Sequence, residues 1–232
     1  TVQEASSDSG LAKHAPDLTL LLLTREDLHP AFQIPAACIK ATDKQEIQAQ
    51  AQQALGGLVR QFRASIPGHI VVTILPGQSS PGLGLYDVMA EQSESHWWNC
   101  IKADLAGHLR AQYSGVSYLD LDQLVTQTGR GNFFDARLWF SSAFPFSPQG
   151  ALAVSNAVST LAASIHLPKA KVIVVDADNT LWGGVIGEDG MNGIALGQEY
   201  PGRAFVEFQK RLMSLQQRGF ILALCSKNNP DD

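Results

Sequence analysis

The chain has 232 residues with a formal net charge of -5, 45% hydrophobic and 17% charged residues, a pI near 5.6 and a mean hydropathy of -0.02. That composition is of a water-soluble globular protein large enough for one large or two small domains. It excludes a polyanion binder, because no Lys/Arg block forms an electrostatic footprint, and a membrane-spanning protein, because the longest apolar stretch, LTLLLL at 18–23, is far too short for a bilayer.

The first ten residues are polar and small, a lead-in with order expected to begin near Leu18. DLTLLLLT (17–24) and HIVVTILP (69–76) are short apolar runs closed by turn or charged residues, the pattern of strands buried on both faces of a parallel sheet. Between them, residues 43–65 place Ile47, Ala51, Ala54, Leu55, Leu58 and Phe62 at helical spacing. A Gly/Pro/Ser loop at 77–84 precedes an expected long helix from about Val88 to Tyr113, whose HWW (96–98) reads as an aromatic core anchor. VSYLDL (116–121) is a further strand, 126–137 a polar loop, and 147–165 a helix with Ser147 as N-cap and Pro148 at its first position. LPKAK (167–171) is a linker. Strands alternating with helices predict an α/β fold, a three-layer parallel sheet with helices on both faces.

A second unit opens with KVIVVDAD (171–178), a strand without a polar residue until Asp176, followed by a glycine-rich acidic loop at 183–190. A helix from about Pro201 to Arg218 carries Phe205, Phe208, Leu212 and Leu215 on one side, with Gly219 placed at its C-terminal cap. FILALCS (220–226) reads as a second buried strand. Two strands cannot bury both faces of their own sheet, so either they join the first sheet or further protein covers them.

Strand ends at the carboxyl edge of an open α/β sheet are where its chemistry collects. Asp176 and Asp178, two apart on an extended segment, point to the same side. Two such charges are relieved by a cation or a shared proton, and Mg2+ accepts one or two carboxylates together with substrate phosphate. The first acid is then a candidate nucleophile and the second a candidate proton donor. Turn or capping acids remain the alternative on spacing alone.

The flanking residues add a resemblance. DADNTLWGG (176–184) resembles the first motif of the haloacid dehalogenase (HAD) superfamily, DxDxT, and ILALCS (221–226) its second, an apolar strand ending in Ser or Thr. VVDADNTLWGGVIGEDGMNGIAL with ILALCSKNN is similar, more narrowly, to the FkbH-like proteins, which prepare glyceryl units for polyketide assembly. DARLWFSSAFPFSPQG resembles part of their N-terminal SGNH-hydrolase-like domain. The resemblance implies an SGNH/flavodoxin-like domain at 1–168 and the first part of a HAD-like Rossmannoid domain at 169–232. It also implies an enzyme that takes phosphate from 1,3-bisphosphoglycerate and passes the glyceryl unit to an acyl carrier protein, with Mg2+ as cofactor; a cytoplasmic location is expected separately, because TVQEASSDSG lacks the basic and apolar regions of a signal peptide.

Under that resemblance Asp176 is the nucleophile and a Mg2+ ligand, and Asp178 is the general acid/base and binds the metal through its carbonyl. Thr180 shapes the turn, Ser226 hydrogen-bonds the transferring phosphoryl group, Lys227 is placed to approach it, and 181–190 forms a flap. Cys225 is the candidate thiol for holding the glyceryl group in transit, against a simpler role as small core packing. The family's later lysine and acid motifs belong downstream of Asn229, so the chain reads as an incomplete enzyme. Asp135 stands where the SGNH triad acid falls, but Leu138 occupies the position of the histidine base, so esterase chemistry is not expected. Two rival readings are a plain Mg2+-dependent HAD phosphatase on a small metabolite and a non-catalytic carrier-protein docking module. Neither nucleic acid nor a membrane is expected as a partner. Cys38, Cys100 and Cys225 show no disulfide or CxxC pattern.

Overall fold

The computed structural model describes residues 9–77 and 81–228. The terminal PDD, most of the polar lead-in and part of the 77–84 loop lie outside the described residues. The chain divides into two compact units, Thr1–Ala162 and Ala163–Asp232.

In the first unit order begins earlier than Leu18, with helix α1 (Gly10–His14), because the Ser9 hydroxyl accepts from the amide of Ala12. Strands β1 (Leu18–Leu23), β2 (His69–Ile74) and β3 (Val116–Tyr118) form a parallel sheet in that order, with Leu18 opposite His69 and Ile70 opposite Val116. Helix α2 (Ala41–Ser65) and helix α3 (Glu94–Gln112) are the crossovers that parallel pairing requires. Leu55, Val59 and Phe62 of α2 and Trp98, Ile101 and Leu105 of α3 share one core with Leu21, Leu23, Ile70 and Val72. Each of these side chains contributes roughly 1.5–3 kcal/mol by leaving water. The HWW motif is the anchor expected of it: Trp98 is buried and Phe32 packs against both tryptophans at 5.6 and 5.9 Å.

Val71 and Thr73 point to the opposite face and are also fully buried, so β2 is covered on both sides. β1 is not. Leu20 and Leu22, in register with Val71 and Thr73, are 36% and 37% exposed, which corrects the expectation of burial on both faces for this edge strand.

The long helix expected from Val88 is interrupted. A 3-10 segment (Gly84–Met89) comes first, and α3 starts only after Ser93, whose hydroxyl accepts from the amide of His96. Asp87 sets that break: its buried carboxylate accepts from the Ser93 hydroxyl (2.9 Å) and from the amides of Glu94 (3.0 Å) and Ser95 (2.9 Å). Strand β3 likewise stops at Tyr118, because Asp120 caps helix α4 (Leu121–Thr128). The expected polar loop at 126–137 holds two short helices, α5 (Arg130–Phe133) and the start of α6 (Ala136–Ser142). Phe133 and Phe146 join Leu121, Val125 and Val154 in a second cluster, Val154 coming from helix α7 (Pro148–His166). The Ser147 hydroxyl accepts from the amide of Gly150, as read from the sequence.

In the second unit, β4 (Val172–Val175) and β5 (Ile221–Leu224) pair in parallel as a separate two-stranded sheet rather than joining the first. Helix α9 (Gly202–Gln217) packs by β5, and only its Leu212 side approaches full burial, with Val175 and Ala177 of the strand end. Gly219, in the left-handed region, closes α9: its amide donates to Gln216 and that of Phe220 donates to Leu215. The strands are not buried as expected. Val172, Val174, Ile221 and Leu224 are between 48% and 63% exposed, since one helix covers at most one face of two strands.

Candidate functional site

Asp176 follows the last residue of β4, at the carboxyl edge of the sheet, and is exposed. Its Oδ1 accepts from the amide of Ala177 at 2.8 Å. Behind it the chain turns sharply: the amides of Thr180 and Leu181 both donate to the carbonyl of Ala177, and Asn179 sits in the left-handed region at φ 55°. Asparagine tolerates that conformation better than most side chains. Its own Oδ1 then accepts from the amide of Gly184 at 3.0 Å, which closes the loop.

Asp178 is half-buried, and its Oδ1 is the most heavily bonded atom of the site. It accepts from Trp182 Nε1 (3.0 Å), from the amide of Ile186 (3.1 Å) and from Asn228 Nδ2 (3.1 Å). Desolvation works to raise the pKa of this carboxyl, but the donors from Asn228, Ile186 and Trp182 outweigh it and hold the pKa below the ordinary carboxylate value. The arrangement therefore favours the charged form, which accepts protons, over the protonated form that a proton donor needs.

The paired glycines are set by close packing at Gly183 and by backbone conformation at Gly184. Gly183 exchanges both backbone hydrogen bonds with Ala195 (3.0 and 2.7 Å), and a Cβ on it would meet the ring of Phe205 at 2.9 Å. Gly184 has φ +98°, which side-chain-bearing residues rarely adopt. The second half of the expected flap, 186–190, lies in helix α8 (Ile186–Gly193), which is kinked at Gly190 and whose entry is held by Asp189 Oδ2 accepting from the amide of Val185.

Ser226 lies past the end of β5, exposed, with Oγ accepting from the amide of Asn228 at 3.1 Å. Through Asn228 the structure brings the Ser226 turn and Asp178 together. Thr180 shapes the turn through its backbone amide. Lys227 is exposed and makes no hydrogen bond or ion pair among the described residues. Cys225 is a free, exposed thiol whose amide donates to the carbonyl of Val175. Trp182, Ile186 and Asn228 are the site residues that sequence reasoning missed. Only the polar KNN after the second apolar run hinted at one of them.

The donor set suits a small hard cation: two strand-end carboxylates, one exposed and one with an oxygen, Oδ2, free of hydrogen bonds among the described residues. No group of three or more His, Cys, Asp or Glu side chains able to hold a metal ion occurs among the described residues. In the first unit, Asp135 is spent on capping α6, its Oδ1 accepting from the amides of Arg137 and Leu138. The Thr24 hydroxyl at the end of β1 donates to Asp27. Among the described residues neither Thr24 nor Asp135 is hydrogen-bonded to a histidine.

No family model and no curated protein matches the chain. Among solved structures it is similar to the crystal structure of the N-terminal part of the protein BF1531 from Bacteroides fragilis, containing a phosphatase domain complexed with Mg. The two share 25% sequence identity with a TM-score of 0.74. The match covers 99% of this chain and 59% of that one, so this chain spans less than two thirds of its neighbour's length. The likeness fits a mixed α/β architecture with parallel strands and a HAD-like phosphatase fold. No helix among the described residues is long and apolar enough to cross a membrane.

Proposed function

We propose that the chain carries the nucleophile-bearing half of a Mg2+-dependent HAD-type phosphoryl-transfer site. The observation that carries this is Asp178, fixed by three N–H donors two residues beyond the exposed, strand-end Asp176. The phosphatase domain with Mg in the similar structure supports it. An oxygen of Asp176 attacks phosphorus, the bond from phosphorus to the leaving oxygen breaks with its electron pair on that oxygen, which takes a proton from water, and an aspartyl-phosphate forms. Water then attacks that phosphorus, releasing inorganic phosphate and restoring the Asp176 carboxylate. Asp178, held as a carboxylate, takes the proton from the attacking water. Asp176 and the backbone of Asp178 would hold Mg2+, whose charge neutralises the phosphoryl oxygens. Ser226, and Lys227 beside it, are the groups assigned to the phosphoryl oxygens.

The substrate in this reading is 1,3-bisphosphoglycerate in the cytoplasm, and the acceptor of the glyceryl group is an acyl carrier protein, as in the FkbH-like proteins. The exposed Cys225 next to Ser226 supports this narrower form. Its thiolate attacks the acyl carbon and the C1 phosphate leaves as the C–S bond forms, Asp176 acts on the remaining C3 phosphate ester, and the carrier thiol then displaces Cys225, its proton passing to the departing sulfur.

The test is Mg2+-dependent phosphate release from 1,3-bisphosphoglycerate and from a simple alkyl phosphate, with Asp176→Asn as the control. Release that depends on Asp176 supports phosphoryl transfer; equal release by the variant sinks it. Glyceryl transfer to a carrier protein that survives Cys225→Ala removes the Cys225 thioester step, and phosphate release with no transfer to a carrier protein leaves the plain phosphatase.

A further inference from the structure

The first unit holds a second crevice at a sheet's carboxyl edge. It is formed where β1 runs into Thr24 and Arg25 and β2 into Leu75–Gly77, and it encloses a volume of about 520 Å3, within the roughly 300–1,000 Å3 of small-molecule sites. Phe32 and Ile34 form one wall and Trp139 and Phe140 of α6 another. Two of these are conspicuously exposed for apolar side chains, Ile34 at 51% and Phe140 at 87%. Trp139 therefore lines the crevice, whereas Arg137 does not.

The cation of this crevice is Arg25. Its side chain is only 18% exposed, its guanidinium lies 4.1 Å from the centroid of the Trp98 ring, and it packs against the backbone at Gly77. The nearest anion is Glu94, whose Oε1 stands 3.6 Å from Nη1, too long for a hydrogen bond. Among the described residues the guanidinium makes no hydrogen bond at all, and Nε is fully enclosed without a partner. A guanidinium carries five N–H donors in a rigid fork, and enclosing such a group without acceptors is costly. Desolvation lowers the Arg25 pKa, against Asp122, Glu94 and Glu26, which raise it. A purely structural ion pair would bring Glu94 into contact. The observed arrangement instead holds a flat donor fork, stacked on Trp98 and short of acceptors, at a cavity lined in part by apolar side chains.

What fits is a planar pair of oxygens with one negative charge. A carboxylate matches the fork with two parallel hydrogen bonds. A phosphate monoester carries about two charges, and Glu26 and Glu94, which line the same cavity, repel it more strongly than they repel the single charge of a carboxylate. The aromatic walls take an apolar tail. We propose that this crevice binds a small monocarboxylate with an apolar tail, its carboxylate on Arg25 and its tail against Phe32, Trp139 and Phe140. The site is a binding site, since Thr24 and Asp135 are both engaged in capping and turn contacts. It is independent of the phosphoryl chemistry assigned to Asp176.

Isothermal titration calorimetry on the 232-residue chain tests it with three probes, 3-phenylpropanoate, 3-phenylpropanamide and phenyl phosphate. The expected result is saturable binding of the carboxylate, with the amide and the phosphate at least about tenfold weaker, as loss of a charge-assisted pair predicts. Arg25→Met should weaken the carboxylate by at least about tenfold, and Glu94→Gln, which removes a repelling charge, should tighten it by about threefold. Equal affinity for the carboxylate and the amide, tighter binding of phenyl phosphate, or undiminished binding by a folded Arg25→Met overturns the assignment. Should Arg25→Met not fold, Glu94→Gln decides: unchanged or weaker carboxylate binding rejects the site. No step of this experiment reads phosphate release.

Discussion

The side-chain amide of Asn228 donates to Oδ1 of Asp178 across 3.1 Å, joining residues fifty positions apart in the chain. The same asparagine donates its backbone amide to Ser226 Oγ, so one residue holds both strand-end motifs in a fixed relation. Replacing it by Ala removes one of three donors to Asp178. Phosphate release is expected to fall roughly 10-fold to 100-fold, the usual effect of losing a group that orients a site residue. Asn228→Asp, which sets a like charge against Asp178, should fall further. Steady-state phosphate assays on the two variants check the order.

Gly183→Ala should destabilise the second unit by about 1–3 kcal/mol, because the new methyl meets the Phe205 ring at 2.9 Å and Ala195 at 3.1 Å. Urea unfolding of the variant measures it. A loss below ~0.5 kcal/mol would mean that the ring moves aside freely.

Asp87 supplies a pH-dependent term. Burial works to raise its pKa, but the amides of Ser95 and Glu94 and the hydroxyls of Ser95 and Ser93 pull it from 3.8 to about 2. A carboxyl whose folded pKa is depressed stabilises the fold above the unfolded pKa, and that contribution fades as pH falls from 3.8 towards 2. Such a shift corresponds to about 2 kcal/mol. Asp87→Asn should therefore cost up to that amount at pH 7 and much less near pH 2.5. Paired denaturant titrations at the two pH values test the sign as well as the size.

Cys225→Ala should leave stability within about 0.5 kcal/mol of the parent, since the thiol is exposed and its amide bond to Val175 survives. A thermal melt that drops by several degrees would return this residue to the core.

The alternation of strand and helix in the first unit, the Ser147–Pro148 helix start and the acids of the second strand end were legible because each is a local pattern of period or capping. Residues 121–142 were not. Their helices are short, punctuated by Gly129 at φ +83° and started by Asp120 and Asp135, and polar stretches of that kind look like loop until the caps are seen. The exposure of β4 and β5 was hidden for another reason: an apolar run states what a strand prefers to bury, not what is there to bury it. In the site, Asp176 and Asp178 announce themselves by spacing. Trp182, the Ile186 amide and Asn228 act through a loop closure and a strand pairing, and neither leaves a period in the sequence. Arg25 escaped notice because one arginine after a strand is commonplace, and only its missing partners set it apart.

The in-register parallel pairing of β4 with β5, Val175 beside Leu224, makes the two halves of the site unequal in their tolerance of change. Added length between the strands has helices and turns in which to be absorbed, with the pairing intact. A single residue inserted between Leu224 and Asn228 has nowhere to go: it rotates the following side chains about the strand direction and turns the amide away from Asp178. Length variation in this protein should thus collect in the excursion from Leu196 to Pro201, beyond the Gly183–Ala195 pairing, and stay out of the short span that closes the sheet.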